Sequence, residues 1–129
     1  MEGGALVSTS LVVFATAALL LAAAHAGARG KLPPNPYLGI RTTLTADSDE
    51  AWYEVHRRAA PWWVVAGIAT AIGGFALFLI EDGGFQMGAL LVAAAVCLAT
   101  VIAGALTSSR AVRDRLARRD RASGEHSSG

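Results

Sequence analysis

The sequence predicts an all-α fold: a three-helix transmembrane bundle with a short amphipathic interfacial helix in a cytoplasmic loop. Three observations predict it. The apolar residues are pooled into three long blocks, not spaced with a period of 3.6 or 2, which is the pattern of membrane spans. The 129 residues are 53% hydrophobic and 16% charged, where soluble domains carry about 25% charged residues. All eleven Lys and Arg residues fall in two stretches, one after the first block and one after the third.

Residues 1–26 make the N-terminal transmembrane helix. Ala5–Ala26 is apolar except for Ser8, Thr9, Ser10, Thr16 and His25. As a helix it is about 33 Å long, enough to cross a hydrocarbon core of about 30 Å. Ala24-His25-Ala26 resembles a signal-peptide cleavage site. Against cleavage, Glu2 stands where a positive flank is needed, and the run exceeds the usual length of about 7–15 residues. A retained span is expected.

Residues 27–61 form a polar link that holds all four prolines: Pro33, Pro34, Pro36 and Pro61. Gly27, Gly30, Pro33 and Pro34 stop the first helix, and Asn35-Pro36 extends the turn. Tyr37-Leu38-Gly39-Ile40 suits an interfacial loop with Tyr37 at headgroup level. A short helix is expected over Asp47–Ala60. Asp47 and Glu50 have the spacing of a capping box. Asp49 and Glu50 in the first turn, and Arg57 and Arg58 in the last, match the helix dipole. Trp52, Val55, His56 and Ala59 share one face, and Glu54 and Arg58 form an i, i+4 pair elsewhere on the surface. Such a helix fits along a membrane surface.

Pro61 is expected to start the next element. Residues 62–106 form a transmembrane hairpin: Trp62–Ile80, anchored by Trp62 and Trp63 at its interface, the acidic turn Glu81-Asp82-Gly83-Gly84, and Phe85–Leu106. Residues 107–129 are a basic cytoplasmic tail carrying Arg110, Arg113, Arg115, Arg118, Arg119 and Arg121, and its end, SGEHSSG, is expected to be disordered.

The charges orient the bundle. Arg29, Lys31, Arg41, Arg57 and Arg58 lie between spans one and two, and the other six follow span three. With three spans the two basic regions share one side. The positive-inside rule then puts the N-terminus outside, and the loop and C-terminus in the cytoplasm of a cell with a cytoplasmic (inner) membrane.

Chemistry-bearing motifs are sparse. One cysteine, Cys97, excludes an internal disulfide and a multi-cysteine zinc site. No HExxH, phosphate loop or nucleophile elbow is present. No ionisable residue lies deep in a span, which leaves a proton relay unsupported. No metal, cofactor or catalytic residue is expected, and the chain is not expected to be an enzyme. The net charge of +1 and the lack of a binding fold give no reason to expect nucleic acid. The arginine tail can bind anionic lipid as well as set topology. Gly67 and Ala71, Ala66 and Thr70, and Ala69 and Gly73 are small-xxx-small pairs, explained by close packing within the bundle. Arg41, between Gly39 and Thr42-Thr43, has the chemistry to clamp a phosphate, a peptide carboxylate or an acidic loop residue.

Asn35-x-x-x-Gly39-Ile40-Arg41-Thr42, followed by Thr45, Ser48, Asp49, Glu50, Trp52, His56 and Arg57, resembles the signature of the SdpI family of bacterial membrane proteins. The resemblance covers about Lys31–Leu106. It departs at Thr43, where the family usually has Pro, and at Leu44, where Trp is common. It implies a multi-span membrane protein that gives immunity to a secreted antimicrobial peptide, or relays that peptide's presence to a cytoplasmic regulator. It also implies that Asn35, Gly39, Arg41, Thr42, Glu50, Trp52, His56 and Arg57 organise the loop or bind a partner. The expected partners are the lipid bilayer, an antimicrobial peptide and a cytoplasmic regulator. The alternative is a small accessory subunit of a larger transporter or envelope complex. For Arg41 two roles are open: pairing with the acidic start of the Asp47–Ala60 helix, or facing a partner.

Overall fold

The computed structural model describes residues 1–127. Its elements are α1 (Gly3–Ala28), α2 (Thr43–Asp47), α3 (Asp49–Leu79) and α4 (Gly83–Ser127). Three of these, α1, α3 and α4, are long and apolar enough to cross a membrane. The all-α, three-span bundle expected from the sequence is therefore the architecture observed.

Helix α3 is the centre of the molecule, and α1 and α4 each pack along it. Small residues set the spacing. A Cβ added at Gly67 would lie 2.8 Å from Leu21 Cγ, and one at Gly73 would lie 2.5 Å from Ala93 Cβ. Gly74 faces the Phe14 ring, and Gly104 of α4 faces Trp62. The small residues of the second span thus bring the neighbouring helices close within one chain, where van der Waals packing replaces the missing hydrophobic drive. At the far end of the hairpin, Gln86 Nε2 donates to the Leu77 and Ile80 carbonyls at 2.9 and 2.8 Å. This satisfies acceptors left open where α3 ends. Asp82 Oδ1 accepts from Gly84 and Phe85 N–H at the start of α4.

Two expected boundaries are corrected. The helix expected over Asp47–Ala60 is not a separate interfacial helix: Asp47 ends α2, and Asp49–Ala60 is the first part of α3, with Pro61 inside the helix. The physical reason is phase. The face Trp52, Val55, His56, Ala59 continues through Trp63, Ala66, Thr70, Gly73 and Leu77, all buried, so a break at Pro61 would throw one stripe out of register. Pro61 itself is exposed, and it removes only the N–H that would meet the Arg57 carbonyl. The charges of α3 all precede Pro61, the last being Arg58.

The tail is likewise helical through Ser127, not disordered from Ser123 onward; of the expected disordered end, Ser128 and Gly129 lie outside the described residues. Ser108, Ser109 and Val112 are buried, and Leu116 packs on the core. These positions recur at helical spacing and hold the extension of α4 against the start of α3.

Candidate functional site

The loop between α1 and α3 is built by side chains that bind its backbone. Asn35 Oδ1 accepts from Tyr37 and Leu38 N–H at 3.0 and 2.7 Å, and its Nδ2 donates to Pro33 O at 2.9 Å. This Asx turn closes the proline-rich segment. Thr42 caps α2 in a reciprocal capping box with Thr45. Thr45 Oγ1 also donates to Ile40 O at 2.9 Å. Ser48 caps α3 by accepting from Ala51 N–H. The capping box expected at Asp47 and Glu50 is thus replaced by Ser48. Asp47 is drawn into α2, and Ser48 takes the extended conformation a cap requires.

Trp52 and His56 fasten this loop to α3. Trp52 is buried, and its Nε1–H donates to Leu32 O at 2.8 Å. His56 is 2% exposed. Its Nε2 accepts from Ile40 N–H at 2.8 Å, and its Nδ1 lies 2.6 Å from Trp52 O. Accepting at Nε2 requires that nitrogen to be unprotonated, so Nδ1–H donates and the ring is neutral. Burial pushes the His56 pKa below the ordinary histidine value, against a smaller upward pull from the Trp52 carbonyl. The Trp52 and His56 rings lie 4.2 Å apart, centroid to centroid, and Trp63 meets His56 edge-on at 5.6 Å.

Gly39 sits against these two rings. Its φ is +123°, and an added Cβ would lie 2.5 Å from His56 Nε2 and 2.9 Å from Trp52 Cη2. Backbone geometry and packing both demand glycine there. Gly39, Trp52 and His56 are therefore one unit, with Ile40 and Leu32 as its backbone partners.

Arg41 stands apart. It is exposed and donates through Nη1 to Pro36 O at 2.9 Å. It does not pair with the acidic start of the helix, because α4 holds that position. Glu50 pairs with Arg115 and Arg119 at 3.1 and 3.2 Å. Glu54 pairs with Arg115 and with Arg58, the latter at 3.2 Å. The arginines, Arg115 first, hold the Glu50 carboxyl below its usual pKa. Glu50 therefore organises the contact between helices rather than the loop. Arg57 is exposed beside Gly30 and does not join the Trp52–His56 unit. Sequence reasoning missed the Glu50/Glu54 contact with Arg115/Arg119. Its signal is the matching i, i+4 spacing of the two pairs. Two signature residues outside the expected site also act: Thr45 completes the Thr42 capping box, and Ser48 caps α3.

The signature departures also find places. Thr43 is the first residue of α2, a position that proline suits, and Leu44 packs against the core.

Three apolar helices and a loop sealed by buried aromatic rings define a multi-pass helical membrane protein. A model of the SdpI/YfhL protein family matches residues 31–105. The chain belongs to that family. Comparison with curated proteins and with solved structures found no match.

Proposed function

We propose that this is an interaction protein of the cytoplasmic (inner) membrane. It gives tolerance to a membrane-active antimicrobial peptide or relays that peptide's presence to a cytoplasmic regulator. One observation carries the reading. The signature side chains Asn35, Thr42, Trp52 and His56 are hydrogen-bonded to their own loop, while Arg41 is left exposed. A rigid loop that displays Arg41, with the exposed Arg29 and Lys31 on the same link, suits recognition. Both His56 nitrogens are engaged by backbone groups, which supports a loop-holding role for the signature's imidazole. Family membership supports the peptide-tolerance part.

The test is survival of a sensitive bacterial host challenged with a membrane-active peptide toxin of the kind the family resists. Empty vector, wild type and Arg41→Ala are compared, with membrane abundance measured in each. Protection by wild type that is lost in Arg41→Ala at equal abundance is the expected result. No protection at good wild-type abundance would remove the tolerance reading and favour an accessory subunit.

In this proposal the N-terminus is outside, and the loop and the end of α4 are cytoplasmic, following the two basic stretches. A topology reporter fused at Gly83 is expected to read external; a cytoplasmic reading there would reverse the orientation.

A further inference from the structure

Because α1 and α4 both pack on α3, they leave a groove between them. Its half nearer the α3–α4 turn has a volume of about 550 Å³ and is lined by Val12, Leu90 and Cys97 among others. Its half at the loop end, about 440 Å³, is lined by Leu20, Leu38 and Trp63 among others. Thr16 and Val101 line both halves, so the two run end to end. From Thr9 to Ala23 the groove follows α1 for about 21 Å, longer than the about 15 Å of one leaflet's hydrocarbon.

The polar content of this groove is unusual in its placement. Thr16 and Thr70 hydroxyls donate to their own helix, at Val12 O and Ala66 O, and so offer no donor to an occupant. Among the described residues, the only charged one lining the groove is Arg41, at the loop end. Its guanidinium makes one hydrogen bond, to Pro36 O, and its other N–H groups are open to a second acceptor. Arg41 also lines a neighbouring recess together with Asp49, and among the described residues the two form no ion pair. Trp63, 6% exposed, lines the same loop-end half, and its Nε1–H is buried without a partner.

We propose that this groove binds a glycerophospholipid, with an acyl chain along Thr16 and Val101 and its phosphate on Arg41. The match is one of charge and solvation. An apolar channel with a single cation at one end complements a molecule with apolar chains and one anionic head. Arg presents its N–H groups in a fork suited to phosphate oxygens. A peptide fits less well, because the channel offers far fewer open polar groups than its backbone N–H and C=O groups would need. The site shares Arg41 with the peptide-tolerance reading but is tested apart from it, by lipid quenching of the purified chain.

The full chain carrying Trp62→Phe, which removes the exposed indole, is purified in phosphate-free maltoside micelles. Quenching of Trp fluorescence is titrated with phosphatidylglycerol brominated on its acyl chains, and with diacylglycerol brominated identically but lacking phosphate. The phospholipid is expected to quench at about tenfold lower concentration, the worth of one charge-assisted contact. Arg41→Gln, which keeps a donor for Pro36 O, should erase that preference. Thr16→Phe, distant from the loop, should weaken quenching by both lipids. Equal quenching by the two lipids, or a preference unchanged in Arg41→Gln, overturns phosphate recognition. Quenching unchanged in Thr16→Phe overturns the groove as the site.

Discussion

At the scale of single residues, the loop depends on groups that must stay in one state. His56 is the clearest case. Its Nε2 accepts the Ile40 N–H, so protonation would set two donors against each other and leave Ile40 N–H buried and unpaired, a cost of about 1–3 kcal/mol. Its folded pKa lies below the unfolded value of about 6.5. As pH falls the unfolded chain takes up the proton first. The His56 contribution is therefore full above about 6.5 and is lost as pH drops through the folded value. The thermal midpoint in detergent is expected to fall between about pH 7 and pH 5, and His56→Gln should flatten that slope. Much of this was legible in the sequence as residue identity. The family signature marked Gly39, Trp52 and His56 as site residues together with five others, but not what they bind. Leu32 and Ile40 act through backbone atoms, which side-chain pattern does not disclose.

At the scale of elements, α2 offers a prediction of its own. Thr43 is the first residue of the helix, where the N–H has no intrahelical partner. Thr42 before it has φ −128° and ψ 169°, the extended conformation that a following proline favours. Thr43→Pro should therefore raise stability by about 0.4–1 kcal/mol, chiefly by restricting the unfolded chain. A denaturant or thermal melt in detergent checks it, and a lowered midpoint would mean that the Thr43 amide is needed. The two long helices show where local reading stops. Pro61 resembles a helix start, yet the buried stripe runs straight through it from Trp52 to Leu77. That continuity is visible in the sequence once the stripe is followed past the proline. The end of α4 is harder. Its arginines resemble a topology signal, and their partners Glu50 and Glu54 lie some 65 residues earlier, beyond any helical window. Such exposed pairs add little each; buried Val112 and the packing of Leu116 do more to hold this segment.

At the scale of the whole molecule, α3 and α4 are longer than a bilayer requires. With 31 and 45 residues they span about 46 and 67 Å, against a hydrocarbon core of about 30 Å. The excess of both lies at the loop end, where Glu50 and Glu54 join Arg115 and Arg119. The loop thus rests on a helical platform continuous with the spans. Three apolar blocks and two basic stretches made the bundle readable from composition alone, because a bilayer demands such segregation. The platform was not readable, since it depends on contacts between distant segments. The central claim is a division of labour: Gly39, Trp52 and His56 hold the loop, and Arg41 is displayed by it. The measurement that tests it most directly compares the thermal midpoints of Gly39→Ala and Arg41→Gln in detergent. Gly39→Ala places a Cβ against both rings at a positive φ, and overpacking of that kind costs about 1–3 kcal/mol. The midpoint is expected to fall by several degrees in Gly39→Ala and to stay unchanged in Arg41→Gln. An equal fall in Arg41→Gln would make Arg41 part of the clamp and contradict the division.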